Sequence, residues 1–338
     1  MSDAGFYGKK TMNVSVIICT YNRCHSLANA LDSVAASHVS DGVEWEIVVV
    51  DNNSTDQTQQ VVEDFKRRFP GRFRYVRELQ QGLCYARNAG VREARGAILA
   101  FTDDDVIVDP DWLQKISLSL QSGKWAGAGG KVVAANEFKC PDWLSLEGPY
   151  NLGGVLALFD LGELEGDTRQ PPFGANMAFR AEMFEKYGHF RTDLDRSAGS
   201  MLSNGDTEFG RRLMSHGEHL WYQPSAVVYH GVPDSRLTKS YFLRFWFNLG
   251  RSDFREGRRR PDVYGIPRWC FTIPKLAVTA LPVRAFNWLF AMDSKRRFFF
   301  KGTVWMTFGQ MVEMRRVWTE ARAKSKDSTG SAGSPRLP

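Results

Sequence analysis

The sequence is 338 residues long, with 43% hydrophobic, 13% aromatic and 24% charged residues, a balance that excludes the disordered and fibrous classes and allows one large domain with an appendage or two small ones. Its net charge of +6 conceals an asymmetry, for Tyr241 onward carries 19 Lys+Arg against 7 Asp+Glu while the preceding part carries 25 against 31. The cysteines Cys19, Cys24, Cys84, Cys140 and Cys270 form no CxxC pair, so neither a disulfide framework nor a zinc site is expected, and the N-terminal residues lack the apolar core of a signal peptide, which points to a cytoplasmic protein.

Val14 to Cys19 reads as a buried strand, and Leu27, Ala30, Leu31 and Val34, at i, i+3, i+4 and i+7, predict a helix behind it. Trp45 to Val50 is a second strand, and Val61, Val62, Phe65 and Phe69 mark a helix that stops at Pro70-Gly71. Phe73 to Val76 predicts a short strand, Leu83 to Ala94 a helix, and Ala97 to Phe101 a further buried strand. A helix follows Asp109-Pro110, where Asp109 can cap and Pro110 suits the first turn. This alternation predicts an α/β fold with a mostly parallel, Rossmann-like sheet covered by helices on both faces.

Beyond Gly127 the alternation loosens, and Leu220 to Pro224 and Ala226 to Tyr229 read as two late strands. From Thr238 the chain turns helical, basic and aromatic-rich. Within it, Trp269 to Met292 is the most apolar stretch, but Lys275, Arg284, Pro274 and Pro282 interrupt it, so it makes a poor spanning helix. An interfacial or re-entrant seat and plain core packing both stay open. The expected organisation is an α/β domain over 13–237, a basic helical extension over 238–322 and a disordered tail over 323–338.

Three polar clusters each begin where an apolar strand ends: Thr20-Tyr21-Asn22-Arg23, Asp51 to Asp56, and Asp103-Asp104-Asp105. In a parallel sheet these ends share one edge, where ligands bind. Taken singly, the first two are also ordinary turn and capping chemistry. Three consecutive carboxylates repel one another, and a divalent cation is the natural compensation. Alternation in extended chain would point Asp103 and Asp105 the same way, with Asp105 as the direct ligand of Mn2+ or Mg2+.

Together, Val14 to Arg23, Ile47 to Asp56, Gly82-Leu-Cys-Tyr-Ala-Arg-Asn-Ala-Gly90 and Ala100 to Asp105 resemble the family 2 glycosyltransferases of the GT-A fold over roughly residues 13–230. The resemblance implies a metal-dependent, inverting enzyme that moves one sugar from a nucleoside diphosphate sugar, most often a UDP-sugar, to a hydroxyl acceptor that is a lipid-linked or polysaccharide precursor. It implies nucleotide binding by Thr20, Tyr21, Asn22, Arg23, Asp51, Asn53, Arg87, Asp103 and Asp104. Phe173 to Arg180 resembles the family's sugar- and acceptor-facing segment, giving Gly174, Ala175 and Asn176 that role.

Asn204-Gly205-Asp206-Thr207-Glu208 resembles the catalytic segment and makes Asp206 the general base. Gly205 replaces the family's usual Glu, leaving Glu208 at the acceptor side as a substitute. His230, after the apolar run Ala226 to Tyr229, would join Asp103 and Asp105 around the metal, although a packed strand-end histidine is the alternative. Processive relatives carry Gln-x-x-Arg-Trp; Arg268-Trp269 is preceded by Gly265 where the Gln would stand, which favours single-sugar transfer. Two competing readings are a sugar nucleotidyltransferase, whose glycine-rich basic loop after the first strand is missing here, and an inactive nucleotide-sugar-binding scaffold, suggested by Gly205. The basic C-terminal third, with Arg258 to Arg260 and Lys295 to Arg297, suits an anionic membrane surface met peripherally; no nucleic acid partner is expected.

Overall fold

The structure, a computed structural model, describes residues 13–194, 204–258 and 275–330. The chain divides into two compact units, one of Met1–Lys139, Gly153–Ser200 and Asn204–Arg236, the other of Cys140–Leu152, Met201–Ser203 and Leu237–Pro338.

The first unit is an α/β layer structure of the GT-A type. Its strands are β1 (Val14–Thr20), β2 (Trp45–Asp51), β3 (Phe73–Arg77), β4 (Ile98–Asp103), β5 (Val106–Val108), β6 (Gly127–Ala134), β7 (Gly166–Thr168), β8 (Met177–Arg180) and β9 (Leu220–His230). Its helices are α1 (Cys24–Ala35), α2 (Thr58–Arg68), α3 (Leu83–Glu93), α4 (Trp112–Gln121), α5 (Glu182–Tyr187) and α6 (Gly205–Ser215). The sheet order is β3-β2-β1-β4-β8-β6-β9-β5, with β7 paired to β9. The β3-β2-β1-β4 half is parallel, and β8 runs antiparallel to both its neighbours.

The parallel strands are apolar at nearly every position because helices cover both faces. Val14, Val16 and Ile18 of β1 and Ile47 and Val49 of β2 pack with Leu27, Leu31 and Val34 of α1 and with Val62 and Phe65 of α2. Ile17, Val48 and Val50 point the other way, toward Ala86 and Ala89 of α3 and Phe209 and Leu213 of α6. Register aligns the polar strand ends: Thr20 lies beside Asp51, and Cys19 beside Asp103.

One expectation changes. The two late strands are a single strand, β9, whose register against β6 slips between Gly130 and Lys131, so that Gln223 pairs with Gly130 and Val227 with Lys131. Pro224 has no N–H for the ladder, which is why the pairing breaks there. The looped-out chain presses its Ala226 carbonyl onto Gly130, where any side chain would overlap it.

The second unit is helical: α7 (Lys239–Arg258), one turn of π-helix (Lys275–Ala280), α8 (Leu281–Phe290) and α9 (Ser294–Gly330). Close approaches of Phe242 to Phe298, Gly250 to Met306 and Arg255 to Glu313 advance together along both chains, so α7 and α9 run parallel. Glycine lets their backbones touch, because a Cβ at Gly250 would overlap the Met306 carbonyl and one at Gly309 the Phe247 carbonyl. Farther along, buried Glu313 accepts from Arg251 at 2.9 Å and Arg255 at 2.7 Å, and these bonds hold its carboxyl below the usual range against the opposing effect of burial. Cys140–Leu152, expected within the α/β domain, groups here because Trp143 packs on Phe242 and Phe298 and Tyr150 on Phe299. Helix α9 continues to Gly330, through Ala, Arg and Lys residues that favour helix. Residues 331–338 lie outside the described residues, as do Arg259 and Arg260 of the basic cluster and Trp269 to Pro274 of the apolar stretch.

Two glycines of α7 should respond oppositely to alanine. Gly250→Ala is expected to lower stability by about 1–3 kcal/mol through overpacking against α9, whereas Gly257→Ala, with open space around its Cβ, should gain up to about 1 kcal/mol of helix propensity. Urea unfolding followed by far-ultraviolet circular dichroism measures both.

Candidate active site

The loops after β1 and β2 are laced together. Asn22 and Asn53 adopt positive φ angles of 51° and 66°, which Asn tolerates better than most residues. The Asn22 N–H donates to Ser54 Oγ (2.9 Å), its side-chain oxygen accepts from the Thr55 N–H (2.7 Å), and Asn53 Oδ1 accepts from Arg77 (3.1 Å). Asp56 takes the Cys24 N–H at the start of α1 and the Thr58 N–H at the start of α2; those bonds hold its carboxyl down at about 2, although burial opposes them. The side-chain oxygens of Asn22 and Asn53 therefore shape the loops. Tyr21 is exposed, and Thr20 is buried at the end of β1.

Asp51 is buried, with one oxygen accepting from the Ser54 N–H (2.7 Å) and the other from the Tyr75 hydroxyl (2.6 Å). Burial, reinforced by that bond, raises the Tyr75 pKa, so the phenol stays a donor. Sequence reasoning missed Tyr75; the only signal was a tyrosine in the strand next to β2.

The three aspartates after β4 turn to different partners. Asp104 is buried and accepts from Arg23 at 3.1 Å, and burial pushes its carboxyl up to about 6 against the pull of that guanidinium. The same nitrogen of Arg23 reaches Asp105 at 2.7 Å. Asp105 also faces His230, Nε2 to Oδ1 being 3.7 Å, because antiparallel pairing sets His230 beside Val106. Asp103 instead lies 3.7 Å from Arg87. Asp103 ends β4 and Asp105 stands in the turn to β5, and Asp103 is close enough to Asp105 and His230 to interact electrostatically with both.

Arg87, buried on α3, connects this cluster to the start of α6. Its guanidinium stands 4.0 Å from Asp206 and 5.8 Å over the Phe190 ring. The N–H of Gly174 donates to Asp206 Oδ2 (2.7 Å) and that of Thr207 to Oδ1 (2.8 Å). A Cβ on Gly174 would overlap Arg87 and come within 2.7 Å of Asp206 Oδ2, so any side chain there would push both groups out of place. The Gly205 departure has a physical cause as well: a Cβ there would sit 2.5 Å from Cys84 Sγ.

Three expected ligand-facing residues are packing residues. Asn176 is fully buried, accepting from Trp112 Nε1 (2.8 Å) and donating to the carbonyls of Lys131 and Ala226 (2.8 Å each), which leaves nothing for a sugar hydroxyl. Ala175 is buried behind β4, its carbonyl taken by the Thr102 hydroxyl. Glu208 is buried and paired with Arg212 at 3.0 Å, one turn along α6. Of that group, Gly174 alone reaches the site.

Among the described residues no three His, Cys, Asp or Glu side chains form a ready metal cage; Asp103, expected as a ligand, lies 3.7 Å from Arg87 and interacts with Asp105 and His230. Asp105 and His230 do fit a divalent cation. The His230 ring is buried, its Nδ1 has no hydrogen-bond partner, and burial lowers its pKa in spite of Asp105, which favours the neutral, metal-binding imidazole. One carboxylate and one imidazole suit Mn2+ better than Mg2+, which prefers oxygen alone, with ligand phosphates and waters to complete the shell.

Residues 15–188 match the model of the family described as glycosyl transferase family 2. The succinoglycan biosynthesis protein ExoM of Rhizobium meliloti is 26% identical over 73% of this chain and 75% of its own length. A glucosyl-dolichyl phosphate glucuronosyltransferase of Haloferax volcanii is 25% identical over 70% and 75%. In fold, the chain is similar to a mannosyltransferase of Pyrobaculum calidifontis in complex with GDP-Man and Mn2+, with a TM-score of 0.59 at 20% identity, covering 90% of this chain and 88% of that one.

Gly174→Ala should displace both Arg87 and Asp206 and lower turnover by about tenfold or more, since small misplacements at a reacting centre are costly. The check is a turnover assay beside a thermal melt, which should shift little if the side chain disturbs only the site.

Proposed function

This chain belongs to glycosyl transferase family 2, and from that premise we propose that it moves one sugar, with inversion, from a nucleoside diphosphate sugar to a hydroxyl of a lipid-linked or polysaccharide precursor, UDP being the favoured nucleotide. The observation that carries this reading is Arg87 standing within 4.0 Å of both Asp103 and Asp206. A cation between a carboxylate cluster and a candidate base is the arrangement an inverting transfer needs, because charge grows on the departing diphosphate while a proton leaves the acceptor.

In this proposal Asp206 takes the acceptor's proton, its two oxygens oriented by the N–H groups of Gly174 and Thr207. Gly174 leaves room for the Arg87 guanidinium and the Asp206 carboxylate to meet beside its backbone. Arg87 binds the diphosphate and offsets its developing charge. The base and ribose lie against the backbone of Thr20 and Tyr21 and the carboxylate of Asp51, whose remaining lone pairs suit a uracil N–H. Arg23, now on Asp104 and Asp105, is free to turn to the nucleotide once another cation neutralises those carboxylates. A divalent cation held by Asp105 and His230 would supply Lewis-acid stabilisation of the leaving diphosphate. Among the described residues no helix is long and apolar enough to cross a membrane, and a lipid-linked acceptor would be met at an anionic membrane surface.

Asp206→Asn is expected to leave donor binding near normal while transfer falls about 10²-fold or more; single-turnover assays with matched binding titrations separate the two, and transfer at the normal rate would remove Asp206 as the base.

Asp105→Ala should abolish the dependence of nucleoside diphosphate affinity on Mn2+. Calorimetry with and without the metal measures this, and equal affinities in the unmodified protein would overturn the metal assignment.

A further inference from the structure

Helix α8 is amphipathic in the reverse of the usual sense. Soluble helices turn their apolar stripe to the core and their charges to water. In α8 the charged residue faces inward: Arg284 donates to the Thr303 carbonyl (3.3 Å) and to the Thr307 hydroxyl on α9. Trp288 shares that inner side, with its ring 5.9 Å from Trp305. The outward side carries Val283, Phe286, Leu289 and Phe290, which with Met292 just beyond the helix are between 60% and 94% exposed. At 100° per residue, the four helix positions fall within a sector of about 120°, so they form one continuous strip, along which the tilted rings of Phe286 and Phe290 pack with centroids 4.6 Å apart. Scattered exposed apolar residues need no explanation, but a contiguous strip of this kind marks an interaction surface.

We propose that the outer face of α8 enters the headgroup–acyl boundary of an anionic phospholipid bilayer, with Lys295, Arg296 and Arg297 on the lipid phosphates. The charge pattern selects this occupant. These three cations stand exposed shortly after Met292, beyond Asp293 and Ser294, in a chain segment that carries 19 Lys+Arg against 7 Asp+Glu from Tyr241 onward. A large aromatic and aliphatic strip bordered by Lys and Arg is the composition of an interfacial helix. Each cation contributes attraction that salt screens, whereas the apolar strip contributes a part that salt leaves intact. Insertion therefore carries the binding and the cations set the preference for anionic lipid. The proposal does not depend on which reaction the first unit performs.

The test is co-sedimentation of the full chain with vesicles of phosphatidylcholine, alone or mixed equally with phosphatidylglycerol, at low and high salt. The unmodified protein should pellet with the mixed vesicles and retain part of that binding at high salt. Phe286→Ser/Leu289→Ser/Phe290→Ser should lower partitioning by about tenfold or more at every salt concentration. Lys295→Gln/Arg296→Gln/Arg297→Gln should erase the preference for anionic vesicles and leave weak binding. The apolar variant should melt and bind nucleoside diphosphate like the parent, because the replaced side chains point outward. Phe290→Trp, which preserves the strip, should still pellet, and brominated lipid should quench its added fluorescence. The proposal is overturned if the parent does not pellet, or if the serine variant pellets equally well. It also falls if the serine variant changes only the oligomeric state, which would give the face to a second copy of the chain.

Discussion

Carboxylates crowded at one sheet edge impose the constraint on which the first unit depends. Asp51, Asp103, Asp104, Asp105 and Asp206 all gather where β1, β2 and β4 end, and like charges so close are tolerated only when each finds compensation. Asp51 is satisfied by Tyr75 and the Ser54 N–H, Asp104 and Asp105 by Arg23, and Asp103 and Asp206 by Arg87. Much else follows from these pairings. Burying Arg87 requires Gly174 to be bare, and holding Asp206 requires α6 to begin at Gly205 against Cys84. The fold is therefore most demanding at the positions where it would seat a dianionic leaving group, because the cations that balance the protein's own acids are the ones a diphosphate would recruit.

Most of this architecture was legible in the sequence because the parallel half of the sheet uses strongly patterned signals. Val14 to Cys19 and Trp45 to Val50 are continuous apolar runs closed by polar clusters, and register alone then brings Thr20, Asp51 and Asp103 level. The second half was less legible for physical reasons. The β6–β9 ladder is interrupted at Pro224, so one strand reads as two. Asn176 has the residue type of a ligand contact, but its amide is completed by Trp112 Nε1 and two carbonyls, 45 and more residues away in sequence. The Cys84–Gly205 fit could not be read at all, since it joins positions on two helices with no local pattern between them.

In the helical unit the same logic appears with a different outcome. Glu313 is buried, and Arg251 and Arg255 both converge on it from α7; a buried pair of this kind adds little net stability but penalises any other register. With Gly250 and Gly309 fixing the closest approach, α7 and α9 have one way to meet. Arg284 on α8 likewise finds its acceptors inside, and that leaves the outer side of α8 to be apolar.

The parallel course of α7 and α9 has a mechanical consequence. Parallel helices cannot be joined by a tight turn: after α7, about 30 Å long for its 20 residues, the chain must travel back over the same distance before α9 can start beside it. Of the residues on that return path, 275–293 are described, and α8 is the final stretch. The helix pair is thus closed by a tether, and whatever immobilises the tether removes conformational freedom from the unfolded alternative as well. By thermodynamic linkage, any surface that holds α8 should tighten the α7–α9 pair, and loosening the pair should weaken the hold by the same free energy.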